Sequence, residues 1–179
     1  MKVHPFRIVL GIGLALLSAN LLTANPNFNG RWRMDPAQST ALDGWQKMDL
    51  VIAVDGSQVD VTHAMQWRST KHEATNHLDT AKTVTLDDYF RVEQRHMAVY
   101  PAKHGVTQAT TSWIDNGRTL RIEANTLVEV SQGNVPMRIY RELRVSEMGD
   151  KLTLIELHST RNRPLVYVFD KVTSEEAAK

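Results

Sequence analysis

The chain has 179 residues, with 21 Lys and Arg against 20 Asp and Glu, 42% hydrophobic and 23% charged residues, and no cysteine. The length fits one domain, and the composition is that of an ordinary globular protein rather than a disordered or fibrous one. Zero cysteine removes disulfide frameworks, iron–sulfur ligation and thiol nucleophiles, and a formal charge of +1 gives no mandate for nucleic acid, which calls for a clustered basic surface.

At the N-terminus, Lys2, His4 and Arg7 precede an apolar run over 8–17, followed by small and polar residues. This is the order of a secretory signal peptide, with cleavage expected after Ala24. An uncleaved anchor is the rival, but even stretched to Leu22 the segment is interrupted by Ser18 and Asn20 and falls short of the roughly 20 apolar residues that span a bilayer. The expectation is a signal peptide over 1–24, a domain over 25–173 and a solvated tail over 174–179. The product is periplasmic or secreted, with no membrane span after cleavage. Without Lys2 and Arg7, 19 basic side chains face 20 acidic ones, so the exported domain is close to neutral.

From Phe28 onward apolar and polar residues alternate in short runs separated by Asp-Gly, Asn-Gly, Gly-Asn and Gly-Asp. Period two between turn signals predicts antiparallel strands with one buried face. The strand candidates are 28–35, 47–54, 58–67, an irregular region over 71–100, then 109–115, 118–130, 135–145, 151–160 and 164–172. Turns then set registers, because a hairpin is credible only where apolar residues of both strands share a face. A turn at Asn116-Gly117 pairs Trp113 with Leu120. One at Asp55-Gly56 pairs Ile52 with Val59, and one at Gln132-Gly133 pairs Val128 with Met137 and Ala124 with Arg141. A loop over 147–150 puts Arg141 beside Glu156, and a turn at Arg161-Asn162 puts Tyr167 beside Glu156. The fold class that results is all-β: an antiparallel meander of about eight to nine strands, which removes its open edges by curling into an up-and-down barrel.

The segment running from Phe28 to Ser39, Phe-Asn-Gly-Arg-Trp-Arg-Met-Asp-Pro-Ala-Gln-Ser, resembles the first strand of lipocalin-like proteins, whose signature Gly-x-Trp is here Gly30-Arg31-Trp32. The resemblance is to small exported bacterial lipocalin-like domains. It implies a calycin-type barrel in which Trp32 closes the narrow end and stacks on an Arg from the last strands, Arg161 or Arg163. Such a contact contributes about 0.5–1 kcal/mol when exposed.

The chemistry-bearing residues are few. His72 and His77 invite comparison with a zinc-protease helix, but that motif needs histidines four apart, and five on a strand sends the rings to opposite faces. His63 shares the apolar face with Val59, Val61, Met65 and Trp67, either as a hydrogen-bonded core residue or as a ligand contact. Met65 and Met97, near His63 and His96, read as packing rather than a copper site. No metal or other cofactor is expected. The sharpest feature is the inferred inward rung Ala124, Arg141, Glu156, Tyr167. An unpaired guanidinium in an apolar interior is costly, so Arg141 should pair with Glu156 or, with a tighter turn, His158. Two roles follow: a pair satisfied internally near a barrel end, or Arg141 and Tyr167 presenting donors to a carboxylate or carbonyl on an otherwise apolar ligand. Trp32, Trp67 and Trp113 line or cap the cavity, and Trp45 lies near its mouth.

These readings converge on an exported barrel that binds a small hydrophobic or amphipathic molecule without transforming it. The expected ligand contacts are Arg141, Glu156, Tyr167, His63, Trp67 and His158, with no nucleic acid as partner and no feature that sets the oligomeric state. Two alternatives stand beside it. One is a proton-transfer enzyme with Glu156 or His158 as base. The other is a filled barrel serving as an interaction module through an apolar patch or an exposed edge strand within 71–100.

Overall fold

A computed structural model describes residues 25–42, 44–92, 100–102 and 105–173. The expected signal segment, the tail over 174–179, His96, Met97 and His104 lie outside the described residues. Among the described residues eleven strands form one antiparallel sheet: β1 (Gly30–Met34), β2 (Lys47–Asp55), β3 (Gln58–Trp67), β4 (Thr70–Asp79), β5 (Val84–Leu86), β6 (Tyr100–Pro101), β7 (Thr107–Ile114), β8 (Thr119–Val130), β9 (Gly133–Val145), β10 (Lys151–His158) and β11 (Leu165–Lys171). Ten follow the path β4-β3-β2-β1-β11-β10-β9-β8-β7-β5, and β6 pairs with β8 beyond the start of β7. Along this path the meander is closed through β1 and β11, where Trp32 lies opposite Lys171. The two end regions, β4 on one side and β5 with β7 on the other, approach without a ladder. The result is a nearly closed up-and-down barrel. Among the described residues no helix is long and apolar enough to cross a membrane.

The alternation read from the sequence sets the inner face. In β3, for example, Val59, Val61, His63 and Met65 are buried while their neighbours are partly exposed. The strand count exceeds the expected eight to nine because the irregular region holds β4, β5 and β6. β4 was hard to read for a physical reason: its first four residues, Thr70 to Glu73, are all exposed, so alternation sets in only from Asn76.

Three registers differ from expectation, each by two residues. Ile52 pairs with Val61, Val128 with Val135 and Ala124 with Ile139, and Tyr167 with Leu154 while Leu165 lies opposite Glu156. A slip of two keeps every side chain on its own face, so apolar pairing cannot detect it, and the turn decides. Gly56, at φ +58°, stands first in a two-residue turn closed by Asp55 and Gln58, the position at which a type II′ turn takes glycine. The Asn116-Gly117 hairpin keeps its expected register, with Trp113 opposite Leu120. So does β9–β10, with Arg141 opposite Glu156. The inward rung is therefore Thr111, Ile122, Arg141, Glu156, Leu165.

The end of the barrel that holds the start of β1 is apolar and closed. A short 3-10 turn at Pro26–Phe28 lays Phe28 edge-on to Trp113, with ring centroids 4.9 Å apart. The fully buried Trp32 donates its indole N–H to the Phe28 carbonyl at 2.9 Å. Gly30 enters β1 at φ +125°, a conformation in which a side chain is strained, which gives the glycine of Gly30-Arg31-Trp32 a backbone reason. The cation above Trp32 is Lys171, its ammonium 4.8 Å from the ring. Arg161 and Arg163 do not fill that role: they lie in the loop before β11, whose seven residues carry the chain roughly 20 Å to Lys171.

Candidate functional site

Arg141 and Glu156 face one another across β9 and β10, on strands whose other inner positions are Met137, Ile139, Leu143, Val145, Leu152, Leu154 and His158. Both are buried, the guanidinium Nε donates to Glu156 Oε2, and His158 Nε2 lies 2.5 Å from Glu156 Oε1. One carboxylate thus joins two cationic or hydrogen-bonding side chains. Burial opposes its ionisation, but the Arg141 charge and the His158 hydrogen bond prevail and bring the Glu156 carboxyl down to about 2. Burial also works against the charge on Arg141, yet Glu156 and Tyr89 beside it prevail and raise its pKa above the ordinary value. The pair is an internally neutralised ion pair in an apolar surround.

His63 enters this interior from β3. Burial, reinforced by the positive charge of Arg141, pushes its imidazole down to about 3, so the ring is neutral across the physiological range. Its Nδ1 has no hydrogen-bond partner.

Over the cluster lies a segment that the sequence did not single out. After β5 the chain turns inward, and Tyr89, Phe90, Arg91 and Val92 are all buried. Asn76 on β4 holds the Phe90 backbone on both sides: its Oδ1 accepts from Phe90 N at 2.8 Å and its Nδ2 donates to Phe90 O at 3.0 Å. This side-chain clasp takes the place of strand pairing next to the gap between β4 and β7. The Phe90 carbonyl also lies 3.5 Å from both Nη1 and Nη2 of Arg141, at the long limit of a hydrogen bond. The Tyr89 ring sits 5.3 Å from the guanidinium carbon. Its hydroxyl is buried without a partner, as is Thr111 Oγ1 on the Arg141 rung, and burial raises the Tyr89 pKa. The Phe90 ring contacts His63 and His72, with centroids 5.1 and 5.4 Å away, and His72 stacks on Trp45 at 5.9 Å. An aromatic file of Trp45, His72 and Phe90 therefore leads from the rim to His63.

The structure thus brings together Arg141, Glu156, His158 and His63. Tyr167 is buried on the same inner face but lies opposite Leu154, one layer away from the position expected for it. Trp67 is partly buried at the rim, with the Arg68 guanidinium 4.7 Å above its ring. His72 and His77 point to opposite faces as their spacing requires: His72 turns to Phe90, and His77 pairs with Asp60 outside at 2.8 Å. Among the described residues no group of three or more His, Asp or Glu is placed to hold a metal ion. Asn76, Tyr89, Phe90 and Thr111 were missed. The only signal available for the inserted segment was a pair of adjacent aromatics, Tyr89-Phe90, in a stretch without period.

A groove of about 720 Å³ opens elsewhere, along the outside of β1–β4, lined by Arg31, Arg33, Lys47, Asp49, Lys71 and Glu73 and reaching Met34, Met48 and Met65. It shares no residue with the inner cluster. Arg31 and Arg33 both turn toward Asp49, at 3.0 and 3.6 Å, so much of its charge is matched locally.

No family model matches the chain, and no curated protein matches it. Among solved structures it is similar to the crystal structure of secretory abundant heat soluble protein 4 from Ramazzottius varieornatus, at 11% identity and a TM-score of 0.50, covering 84% of this chain and 99% of that one. At that identity the likeness is one of fold: both chains build a barrel of this kind.

Proposed function

We propose that the protein is an exported, lipocalin-like barrel that binds a small hydrophobic or amphipathic molecule in its interior and does not transform it. One observation carries this reading: an apolar interior encloses the Arg141–Glu156–His158 cluster together with three inward polar atoms, His63 Nδ1, Tyr89 Oη and Thr111 Oγ1, that have no hydrogen-bond partner. Each unpartnered buried polar atom costs roughly 1–3 kcal/mol. An interior kept for packing alone gains nothing from them, whereas an apolar lining with a few convergent polar groups is the make-up of a small-molecule site. The same electrostatics weigh against Glu156 as the base of the proton-transfer alternative, since a carboxyl that Arg141 and His158 hold down at about 2 is a weak base at neutral pH.

The test is native mass spectrometry of the protein purified from its own cell envelope. The reading expects a co-purifying small molecule that Arg141→Ala loses while the variant keeps its far-ultraviolet circular dichroism. A wild-type protein that never carries or takes up an apolar molecule refutes it.

A further inference from the structure

The inner cluster narrows the class of ligand further, on the premise that the interior is the binding site. The Arg141 guanidinium donates sideways to Glu156 and presents its two terminal nitrogens to a single group, the Phe90 carbonyl, at 3.5 Å each. That oxygen is a neutral acceptor in a segment where Tyr89, Phe90, Arg91 and Val92 are all buried, with the Tyr89 ring 5.3 Å from the same guanidinium. The charge of Arg141 is already matched by Glu156, so an anion set on its terminal nitrogens would compete with Glu156 for one guanidinium instead of finding a free counter-charge there, and a buried charge that is poorly paired is strongly unfavourable. A neutral carbonyl meets the same donors at no such cost. The long contacts to Arg141 hold Phe90 weakly, and the segment's firm attachment is the Asn76 clasp.

We propose that the barrel selects a neutral carbonyl head group, such as an amide, ester or ketone on an apolar body, and that the Phe90–Arg91 peptide, with its Phe90 carbonyl on Arg141, is its built-in stand-in, displaced when the ligand binds. The Phe90 carbonyl leaves Arg141, the ligand carbonyl takes its place, and the space of the two aromatic side chains receives the apolar body. Thr111 Oγ1, unpartnered on the Arg141 rung, is a further donor available to a polar head group.

Isothermal titration of the protein with octanamide and with octanoate at pH 7 tests the inference. Octanamide should bind at least about tenfold more tightly, because only octanoate brings an unmatched charge. Glu156→Gln, which leaves Arg141 as the unmatched charge, should reverse that order. Asn76→Ala, which frees Phe90, should tighten octanamide by about tenfold, as a lowered cost of reaching the open state requires. Hydrogen exchange over 87–92 should speed up when octanamide binds. Equal affinities in the wild type, or tighter octanoate, overturn the head-group assignment and leave interior binding standing. Octanamide binding with exchange at 87–92 unchanged overturns the displacement. If neither probe binds the wild type or Asn76→Ala, the interior-binding reading fails as well. Should Glu156→Gln not fold, the wild-type ratio of the two affinities decides alone.

Discussion

The two halves of the barrel are built on different rules. Around Phe28, Trp32 and Trp113 the interior is apolar, and the Trp32 indole N–H finds the Phe28 carbonyl. Around Arg141 the same strands bury an ion pair, a histidine joined to it and three polar atoms without partners, beneath an inserted segment clasped by Asn76. Packing alone accounts for the first half. The second carries polar groups whose burial costs stability, and such groups persist where something other than stability retains them.

The largest effects should expose this contrast. Trp32→Ala should cost about 3–5 kcal/mol through the cavity it opens, and no second substitution should restore it cheaply. Glu156→Ala should cost a similar amount, about 3–5 kcal/mol, because it strands Arg141 in the interior. Here a rescue is expected. Arg141→Met with Glu156→Leu should return stability to within about 1 kcal/mol of the wild type or above it, since apolar replacement of a buried pair is often neutral or stabilising. Denaturant midpoints at constant m-value make the measurement. A double variant as unstable as Glu156→Ala would mean that the cluster holds the fold together, and the contrast between the halves would collapse.

Acid sharpens the comparison. His63 is neutral in the folded protein down to about pH 3, whereas in the unfolded chain it takes up a proton below about 6.5. Its contribution is therefore complete above pH 6.5 and is lost as pH falls from there toward 3, at about 1.4 kcal/mol per pH unit. Glu156 adds a loss of the same sign between its ordinary 4.5 and about 2. Unfolding free energies measured from pH 8 to 4 should slope downward below 6.5, and His63→Gln should flatten the stretch between 6.5 and 4.5. An unchanged slope in that variant would place the titrating group elsewhere.

How much of this was legible follows from what a sequence pattern can encode. Period two fixed the inner face of each strand, and with it the facing of Arg141 and Glu156, because parity survives any even slip. Absolute register was not encoded that way. Tyr167 therefore moved one layer from Glu156, and Ala124 gave way to Ile122 on the Arg141 rung. β4 was obscured by its exposed first half. The inserted segment is held through backbone atoms, Phe90 N and O against Asn76, and a backbone contact leaves no mark on the residue that makes it.

The smallest effect concerns the closed half and separates two cations. The ammonium of Lys171 lies 4.8 Å from the Trp32 ring centre and donates to the Asn27 carbonyl at 2.7 Å, so one side chain ties the last strand to the turn that plugs this end. A cation over an aromatic face at a partly exposed site contributes about 0.5–1 kcal/mol, and its loss in a domain of this size lowers the midpoint of thermal unfolding by roughly 1–4 °C. Lys171→Met, which keeps the aliphatic stem and deletes the charge, should show that loss. Arg161→Met and Arg163→Met should leave the Trp32 environment, followed by near-ultraviolet circular dichroism, unchanged, because β11 carries those residues to the other end of the barrel. A dichroism change in either arginine variant and none in Lys171→Met would return the stacking role to the loop and reverse the polarity of the barrel's two ends.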